Sequence, residues 1–398
     1  MKPITVISVG PGSDELLTFE ARHAIDQADV VFCASRHTVL TKPDQATPLF
    51  PFEQAFERMQ AARDDGQAVA VLVSGDAGIF SLMPRLAERF GREALCVVPG
   101  VSALQAFSAA LAVPWQDAAV ISAHGRDLSP SALCHAARTH RQVFMFLDKE
   151  HDAAWIRASL DAGGLAHVSV TLGDRLSYPD AYIGPADGCT ASPLCMAYLE
   201  NDQPEAGLPH IGLPDEAFIR GKTPMTKQEI RTQILAALRL TPSAVIWDVG
   251  AGTGSVTIEC ARQCPMGHVY AIEQKEDAVT LIQQNAAHFH LLNVSVMAGH
   301  APEVLVGLPC PTHVFLGGTG RESDAILDDL EHFGKPIRVV ATAVTLETVH
   351  ALHQRFRQYA DCTATQIAVS RLAPLGSYTM LQAQNPVFIF AATIGGAI

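Results

Sequence analysis

The sequence lacks the spacings that usually indicate a bound metal. Its nine cysteines contain no Cys-x-x-Cys pair, and its sixteen histidines contain no His-Glu-x-x-His. Cys260 and Cys264 have no second pair of ligands near them in the chain. Metal sites in proteins commonly use such spacings, so we interpret the cysteines as free or buried thiols and expect no metal.

Long hydrophobic runs and strong basic charge are also missing. The longest apolar runs have the length of a β-strand, so neither a transmembrane helix nor a membrane partner is expected. The start Met1-Lys2-Pro3 carries no signal-peptide pattern, which favours a cytoplasmic protein. The net charge is −13, with −10 in residues 1–207 and −3 in residues 208–398. An acidic surface disfavours nucleic-acid binding, because that binding depends on neutralising phosphates.

The length of 398 residues predicts two folded domains. In the first half, continuous apolar strand patterns alternate with helix patterns such as Ser13–Gln27, which indicates an α/β fold with a parallel sheet. Residues 202–224 contain four prolines and no periodicity, as is typical of a linker. We therefore predict a first domain over 1–205, a linker over 206–224 and a second domain over 225–398.

The second half starts a new strand and helix alternation with a predicted helix over Lys227–Leu238. It ends in two segments that resemble antiparallel strands, Thr363–Val369 and Val387–Thr393. This pattern predicts a doubly wound α/β domain closed by a hairpin.

A glycine-rich loop follows the first strand of the second half. Its sequence is Asp248-x-Gly250-x-Gly252-x-Gly254. Glycines remove the β-carbons where the backbone must approach a ligand, and amides at the start of the next helix can bind polar groups. Glu273 ends the next predicted strand and can accept hydrogen bonds from the two ribose hydroxyls of a nucleoside. A nicotinamide enzyme is the alternative, but its fingerprint requires a glycine where Ser255 stands.

Three turns follow predicted strands in the first half. They are Gly10-Pro11-Gly12, Gly75-Asp76-Ala77-Gly78 and Pro99-Gly100-Val101-Ser102. Ligands of open α/β sheets bind outside the carboxyl ends of the strands, where all three turns are expected. Asp76 is predicted to form its turn and to contact a ribose or an ammonium group. Ser102 is predicted to cap the following helix and to offer its hydroxyl to a ligand.

These turns resemble those of the class III tetrapyrrole methylases, over roughly residues 1–205. The segments Ser122–Arg126 and Arg175–Asp180 are similar to the CbiE-type branch, although Ala77 stands where that family has proline. The resemblance implies two α/β subdomains that bind S-adenosylmethionine between them. The cofactor contacts that it implies are Gly10, Pro11, Gly75, Asp76, Ile79, Val101 and Ser102.

The second half resembles the CbiT-type methyltransferases, which have a class I, Rossmann-like fold. The residues that carry this resemblance are Met225–Arg231, Asp248–Gly254, Ala301–Glu303, Gly317-Gly318 and Asn385–Val387. Many relatives have aspartate where this chain has His300. The cofactor contacts that the resemblance implies are Thr226, Asp248, Gly250, Gly252, Gly254, Glu273, Ala301 and Gly317.

A fusion of these two types resembles the decarboxylating precorrin-6Y C5,15-methyltransferases. The resemblance implies one S-adenosylmethionine per domain and no metal, in aerobic cobalamin biosynthesis. The first domain would methylate carbon 5 of precorrin-6Y (reduced precorrin-6B). The second would methylate carbon 15 and remove carbon dioxide from the acetate on carbon 12, giving precorrin-8. Because relatives of each half self-associate, a closed homo-oligomer is expected.

A polycarboxylate substrate requires cationic side chains, because arginine and lysine bind carboxylates through charge-assisted hydrogen bonds. The candidates in the second half are Lys222, Lys227, Arg231 and Arg371. Those in the first half are His124 and Arg126.

Two other functions remain open from the sequence. The second half could methylate a protein or an RNA, although the acidic charge disfavours RNA. Alternatively, the chain could be a non-catalytic scaffold that binds precorrin and S-adenosylmethionine. The intact cofactor loops disfavour a scaffold.

Overall fold

The structure is a computed structural model that describes residues 2–125, 127–186, 192, 194–205, 210–318 and 322–395. It confirms the predicted α/β fold class. The chain forms two compact units. The first unit holds residues 1–128, 136–161 and 165–205, and the second unit holds 206–398 with the short segments 129–135 and 162–164. Within the described residues, no helix is long and apolar enough to cross a bilayer.

The first sheet of the first unit has five parallel strands in the order β3-β2-β4-β1-β5. The central strand β4 is buried along its whole length, because it is apolar throughout and has a neighbour on each edge. The elements are β1 (Ile4–Ser8), α1 (Phe19–Gln27), β2 (Val30–Cys33), β3 (Ala46–Pro48), α2 (Phe52–Asp64), β4 (Val69–Val73), α3 (Met83–Phe90), β5 (Leu95–Val98) and α4 (Ala103–Leu111).

The second sheet of the first unit is mixed and has the order β6-β7-β10-β8-β9. Only β6 and β7 run parallel, and the other neighbours are antiparallel. The elements are β6 (Ala119–Ser122), α5 (Pro130–Thr139), β7 (Gln142–Phe146), α6 (Ala153–Ala162), β8 (Ser169–Asp174), β9 (Tyr182–Pro185) and β10 (Met196–Glu200). These two sheets correspond to the two predicted subdomains.

The second unit contains a seven-stranded sheet in the order β13-β12-β11-β14-β15-β19-β16. Its first five strands are parallel, and β19 lies antiparallel to both of its neighbours. The elements are α7 (Gln228–Leu238), β11 (Val245–Val249), α8 (Ser255–Gln263), β12 (His268–Glu273), α9 (Glu276–His288), β13 (Val294–Ala298), β14 (His313–Leu316), α10 (Ser323–His332), β15 (Ile337–Ala343), α11 (Leu346–Phe356), β16 (Thr363–Ile367), β17 (Ser370–Leu375), β18 (Tyr378–Ala383) and β19 (Val387–Ile394). The order differs from the dinucleotide-binding order by the antiparallel strand inserted before the edge.

The helix predicted over Ser13–Gln27 is interrupted. A short 3-10 turn covers Asp14–Leu16, and α1 begins only at Phe19. The hydroxyl of Thr18 accepts a hydrogen bond from the amide of Ala21 at 3.1 Å and so starts a new helix. The apolar periodicity of this segment did not reveal that cap.

The antiparallel strands predicted at the end of the chain are confirmed as β16 and β19. Between them lies a hairpin that the sequence analysis did not predict, formed by β17 and β18. Its apolar side chains face solvent, with Leu372 73% exposed and Tyr378 75% exposed. The hairpin therefore lies outside the hydrophobic core of the unit.

Part of the predicted linker packs into the second unit. Asp215 is 3% exposed and Phe218 is 5% exposed, and Phe218 packs with Ile258 in a small apolar cluster. The described part of the segment forms a short 3-10 helix at Asp215–Ala217, directly after Pro214, and its prolines do not prevent burial. The domain boundaries at 205 and 225 remain predictions.

Candidate functional site

The first two glycine turns of the first unit lie side by side at the ends of β1 and β4. Gly10 and Gly75 exchange two backbone hydrogen bonds, of 3.2 and 2.7 Å. Their φ angles of 75° and 67° lie in the left-handed region, which favours glycine. The paired turns form one edge of a possible ligand site.

Asp76 connects the second turn to the third. Its carboxylate accepts hydrogen bonds from the amides of Gly78 at 2.8 Å and Gly100 at 3.0 Å, so its predicted role in forming the turn is confirmed. The amide of Ala77 donates to Ser8 Oγ at 2.9 Å. The proline that the methylase family has in place of Ala77 could not make this bond, because proline has no N–H. The alanine therefore allows an extra hydrogen bond that holds the loop.

Ser102 begins α4 through a capping box. Its Oγ accepts from the amide of Gln105 at 3.1 Å, and Oε1 of Gln105 accepts from the amide of Ser102 at 2.8 Å. The predicted cap is confirmed. Ser102 is 1% exposed, and it still reaches the wall of the adjoining cavity.

A cavity of about 150 Å³ lies against these turns. Six of the predicted contacts line it, whereas Gly10 and Val101 do not, and Arg126 lies outside the described residues. Arg36, Ser74 and Phe80 also line it and were not predicted. The predicted residues at its wall are Pro11, Gly75, Asp76, Ile79, Ser102 and His124.

A second, larger cavity of about 890 Å³ shares Ile79, Phe80 and His124 with the first. Its wall includes four aromatic side chains, those of Phe50, Phe52, Phe80 and Trp115. A large, flat, apolar ligand could lie there beside a smaller one.

The glycine loop of the second unit follows β11, and its glycines are needed for two different reasons. A Cβ on Gly250 would lie 2.0 Å from the carbonyl oxygen of Gly317, so the loops after β11 and β14 can meet only without it. Gly254 has a φ of 78° and is the N-cap residue of α8. A Cβ added to Gly254 would lie 3.1 Å from the side chain of Ile282.

Glu273, at the end of β12, lies at the edge of this loop. One carboxylate oxygen accepts from the amide of Gly252 at 2.9 Å. The other accepts from the amides of Gln274 at 3.0 Å and Lys275 at 2.9 Å. These three bonds fix the carboxylate, whose oxygens retain further acceptor capacity for a pair of hydroxyls.

Asp248 is fully buried beneath the loop. The hydroxyl of Thr257 donates to Oδ2, while Oδ1 has no hydrogen-bond partner among the described residues. Burial raises the pKa of Asp248 to about 7. The side chain does not line the cavity, so its predicted cofactor contact remains a prediction. In the part of the chain that the structure describes, this buried carboxyl group forms no ion pair.

The cavity of the second unit measures about 650 Å³. Asp248 and Gly254 lie behind its wall, and Gln274 and Asn385 contribute to it without having been predicted as cofactor contacts. Gln274 could have been found from its place after the strand that ends in Glu273. The predicted residues that line the cavity are Thr226, Lys227, Gly250, Gly252, Glu273, Ala301 and Gly317.

His300 lies at the wall of this cavity between two carboxylates. Its ring nitrogens are 3.0 Å from Glu303 Oε2 and 2.9 Å from Glu322 Oε1. Hydrogen bonds to these carboxylates raise the pKa of His300. The imidazole thus connects two carboxylates at the cavity wall.

The prediction that Arg231 holds a substrate carboxylate is wrong. Its side chain is 0% exposed and forms ion pairs of 2.9 Å with Asp215 and with Glu259. It also donates to the backbone oxygens of Leu213 and Thr226. A guanidinium with all of these partners inside the core cannot reach a ligand, so Arg231 has a structural role.

The other cationic candidates of the second unit remain open to solvent. Lys227 is 3.7 Å from Asp215, is 41% exposed and lines the cavity. Arg371 forms a two-point pair with Glu229, at 2.9 and 2.7 Å, and does not line the cavity. Lys222 is exposed. Lys227 is therefore the predicted cation best placed to meet a ligand.

Comparisons with known protein families match the two units separately. Residues 3–187 match the tetrapyrrole (corrin/porphyrin) methylases, and residues 216–394 match the precorrin methyltransferase domain. A probable cobalt-precorrin-6B C(15)-methyltransferase (decarboxylating) from Pyrobaculum calidifontis is 42% identical over 46% of this chain and 95% of its own length.

Two further relatives carry the precorrin-6Y name. The precorrin-6Y C(5,15)-methyltransferase [decarboxylating] of a Sinorhizobium species is 29% identical over 98% of this chain and 96% of its own length. The crystal structure of a precorrin-6Y C5,15-methyltransferase from Geobacter metallireducens is 34% identical, covering 47% of this chain and 98% of that one, with a TM-score of 0.44.

The fold and the two sites define a methyltransferase built from a tetrapyrrole methylase and a Rossmann-like methyltransferase. More narrowly, the chain belongs to the decarboxylating precorrin-6Y C5,15-methyltransferase family.

Proposed function

We propose that this enzyme methylates precorrin-6Y at carbons 5 and 15 and removes carbon dioxide from the acetate on carbon 12. The observation that carries the proposal is the presence of two cavities in one chain, each beside glycine-rich turns that follow parallel strands. Each cavity also contains an acidic residue held by backbone amides, Asp76 in the first and Glu273 in the second.

We infer one S-adenosylmethionine in each unit. Glu273 is suited to accept the ribose hydroxyls. Gly252 lines the cavity, and a Cβ there would meet no atom closer than 3.5 Å, so this position leaves room for close approach of the ligand. Asp248 is a buried acid whose Oδ1 has no hydrogen-bond partner among the described residues, and its ionised form suits a cationic cofactor. When bound, the cofactor supplies an electrophilic methyl group on its sulfonium.

The residues around each cavity serve chiefly to position the substrate and to exclude water. A nucleophilic ring carbon needs little acid–base help to accept a methyl group, so orientation provides most of the catalysis. The aromatic wall of the 890 Å³ cavity supports binding of a flat macrocycle. His124 and Arg85, whose guanidinium lies 5.0 Å over the ring of Phe52, are available to its carboxylates.

We assign the two methylations to separate units. The second unit is aligned with relatives named C(15)-methyltransferase (decarboxylating), which supports carbon 15 and the decarboxylation for that half. Methylation at carbon 5 is then assigned to the first unit. Lys227 is our candidate for holding a substrate carboxylate at the second cavity.

We also infer a closed homo-oligomer. The hairpin of β17 and β18 exposes Leu372, Tyr378 and Leu381, which are 73%, 75% and 69% exposed, and contact with another copy would bury them. Sedimentation equilibrium measures the subunit number, and a monomer at micromolar concentration would contradict this inference.

Mass spectrometry of the tetrapyrrole tests the proposed function directly. After incubation of precorrin-6Y (reduced precorrin-6B) with the full chain and S-adenosylmethionine, the product should have gained two methyl groups and lost one carbon dioxide. Methyl transfer to protein or RNA in the same preparation, with an unchanged tetrapyrrole, would refute the proposal. Binding of both ligands without turnover would favour a scaffold.

A further inference from the structure

Arg36 lies at the wall of the first cavity, just after β2, and neutral groups hold its guanidinium. Its Nη2 donates to Ser74 Oγ at 2.5 Å and its Nε donates to His37 Nε2 at 3.2 Å. Among the described residues, no carboxylate forms an ion pair with it. The positive charge of Arg36 is therefore fixed in position but not neutralised.

His37 makes this arrangement stable. It is 6% exposed, and burial together with the charge of Arg36 lowers its pKa to about 4. Since a guanidinium can only donate, Nε2 of His37 must be the acceptor and the ring proton lies on Nδ1. The imidazole also lies 2.9 Å from Ser74 Oγ. His37 thus stays a neutral acceptor in the neutral pH range and orients the arginine.

The arrangement leaves part of the guanidinium available. Of its five N–H groups, the Nε and one Nη2 hydrogen are used, and the remaining donors lie on the terminal nitrogens. Paired terminal N–H groups of arginine match the two oxygens of a carboxylate. Ser74 directly precedes Gly75, so the free donors lie next to the turn that we assign to the cofactor.

We propose that Arg36 binds a carboxylate in the site of the first unit, with Ser74 and His37 as its positioning residues. This inference rests on the proposed function, which brings two carboxylate sources to the site. One is the methionine part of the cofactor, and the other is an acetate or propionate side chain of the tetrapyrrole. Both use the same recognition chemistry, and they can be separated by experiment.

The test is Arg36→Gln in the full chain, in a background that carries Glu273→Ala to weaken the second site. Binding of S-adenosylmethionine and of its decarboxylated form is measured by calorimetry on this double variant and on Glu273→Ala alone. If Arg36 holds the cofactor, the variant should lose tenfold or more in affinity for S-adenosylmethionine and nothing for the decarboxylated form. If it holds the tetrapyrrole, both affinities should stay unchanged.

If Arg36 holds a carboxylate of the tetrapyrrole, the tetrapyrrole KM for methylation at carbon 5 should rise tenfold or more in Arg36→Gln, with kcat less affected. Arg36→Lys should restore part of the lost affinity or KM. The matched control is Arg58→Gln, at an exposed arginine of the same unit that lines neither cavity. It should change none of these quantities.

The inference is overturned if Arg36→Gln folds and leaves both cofactor affinities and the tetrapyrrole KM unchanged while the unaltered protein methylates carbon 5. In that case the proposed function would stand without it. If the unaltered protein binds no cofactor in the first unit, the proposed function fails and this inference fails with it. Because the side chain of Arg36 is exposed, the variant should unfold at the same temperature as the unaltered protein.

Discussion

Replacing Arg231 with methionine is expected to lower the free energy of unfolding of the second unit by about 3–5 kcal/mol. The substitution would leave Glu259, whose side chain is 1% exposed, as a buried carboxylate without its cation. Asp215, whose side chain is 3% exposed, would keep only the longer contacts with Lys227 at 3.7 Å and Arg371 at 3.6 Å. It would also remove the donors to the backbone of Leu213 and Thr226. Denaturant unfolding followed by fluorescence measures the change, because Trp247 is buried in this unit.

Two variants separate this effect from a simple loss of positive charge. Arg357→Met removes an exposed arginine of the same unit that lies outside the cluster of Asp215 and Glu259, and it should cost no more than about 1 kcal/mol. Adding Asp215→Asn and Glu259→Gln to Arg231→Met should recover part of the lost stability, because no unpaired charge is then buried. An Arg231→Met protein as stable as the unaltered one would show that the ion cluster contributes nothing.

The role of Arg231 could have been found in the sequence. It lies in the same helical stripe as Ile234, Leu235 and Leu238, at spacings of three, four and seven residues, and all of these side chains are buried. An arginine within an apolar stripe is expected to be buried with acidic partners. The resemblance to known methyltransferases led instead to a substrate role. The identity of its partners could not be predicted, because Asp215 and Glu259 lie on separate segments.

The glycine loops were predictable because their requirements are local. Gly250 needs a left-handed backbone and the absence of a Cβ, and both constraints appear directly as residue types. Arg36 gave no such signal. It meets Ser74, 38 residues further along the chain, only because β2 and β4 are neighbours in the sheet. That sheet order was not predicted from the strand patterns, so the cluster could not be predicted either.

Asp248→Asn is expected to change stability and cofactor binding in opposite directions. The native carboxyl has a pKa of about 7, whereas an unfolded aspartate has one of about 3.9. Between these values the native state holds a proton that the unfolded state has released. The free energy of unfolding of the second unit should therefore fall by up to about 4 kcal/mol as the pH rises from about 4 to 7. The asparagine variant should lack this decline and be more stable than the unaltered protein at pH 8.

Cofactor binding should show the reverse dependence on pH, because a cationic cofactor is stabilised by the ionised carboxylate. In the unaltered protein, the affinity of the second site for S-adenosylmethionine should increase as the pH rises through about 7. In Asp248→Asn it should be nearly independent of pH in this range and at least about tenfold weaker at pH 8, as expected when an opposite charge close behind the cavity wall is removed. Calorimetry and denaturant unfolding at pH 5 and pH 8 measure both effects, with the exposed Asp277→Asn as the matched control. Equal affinity of the variant and the unaltered protein at pH 8 would show that the buried charge of Asp248 does not serve the cofactor.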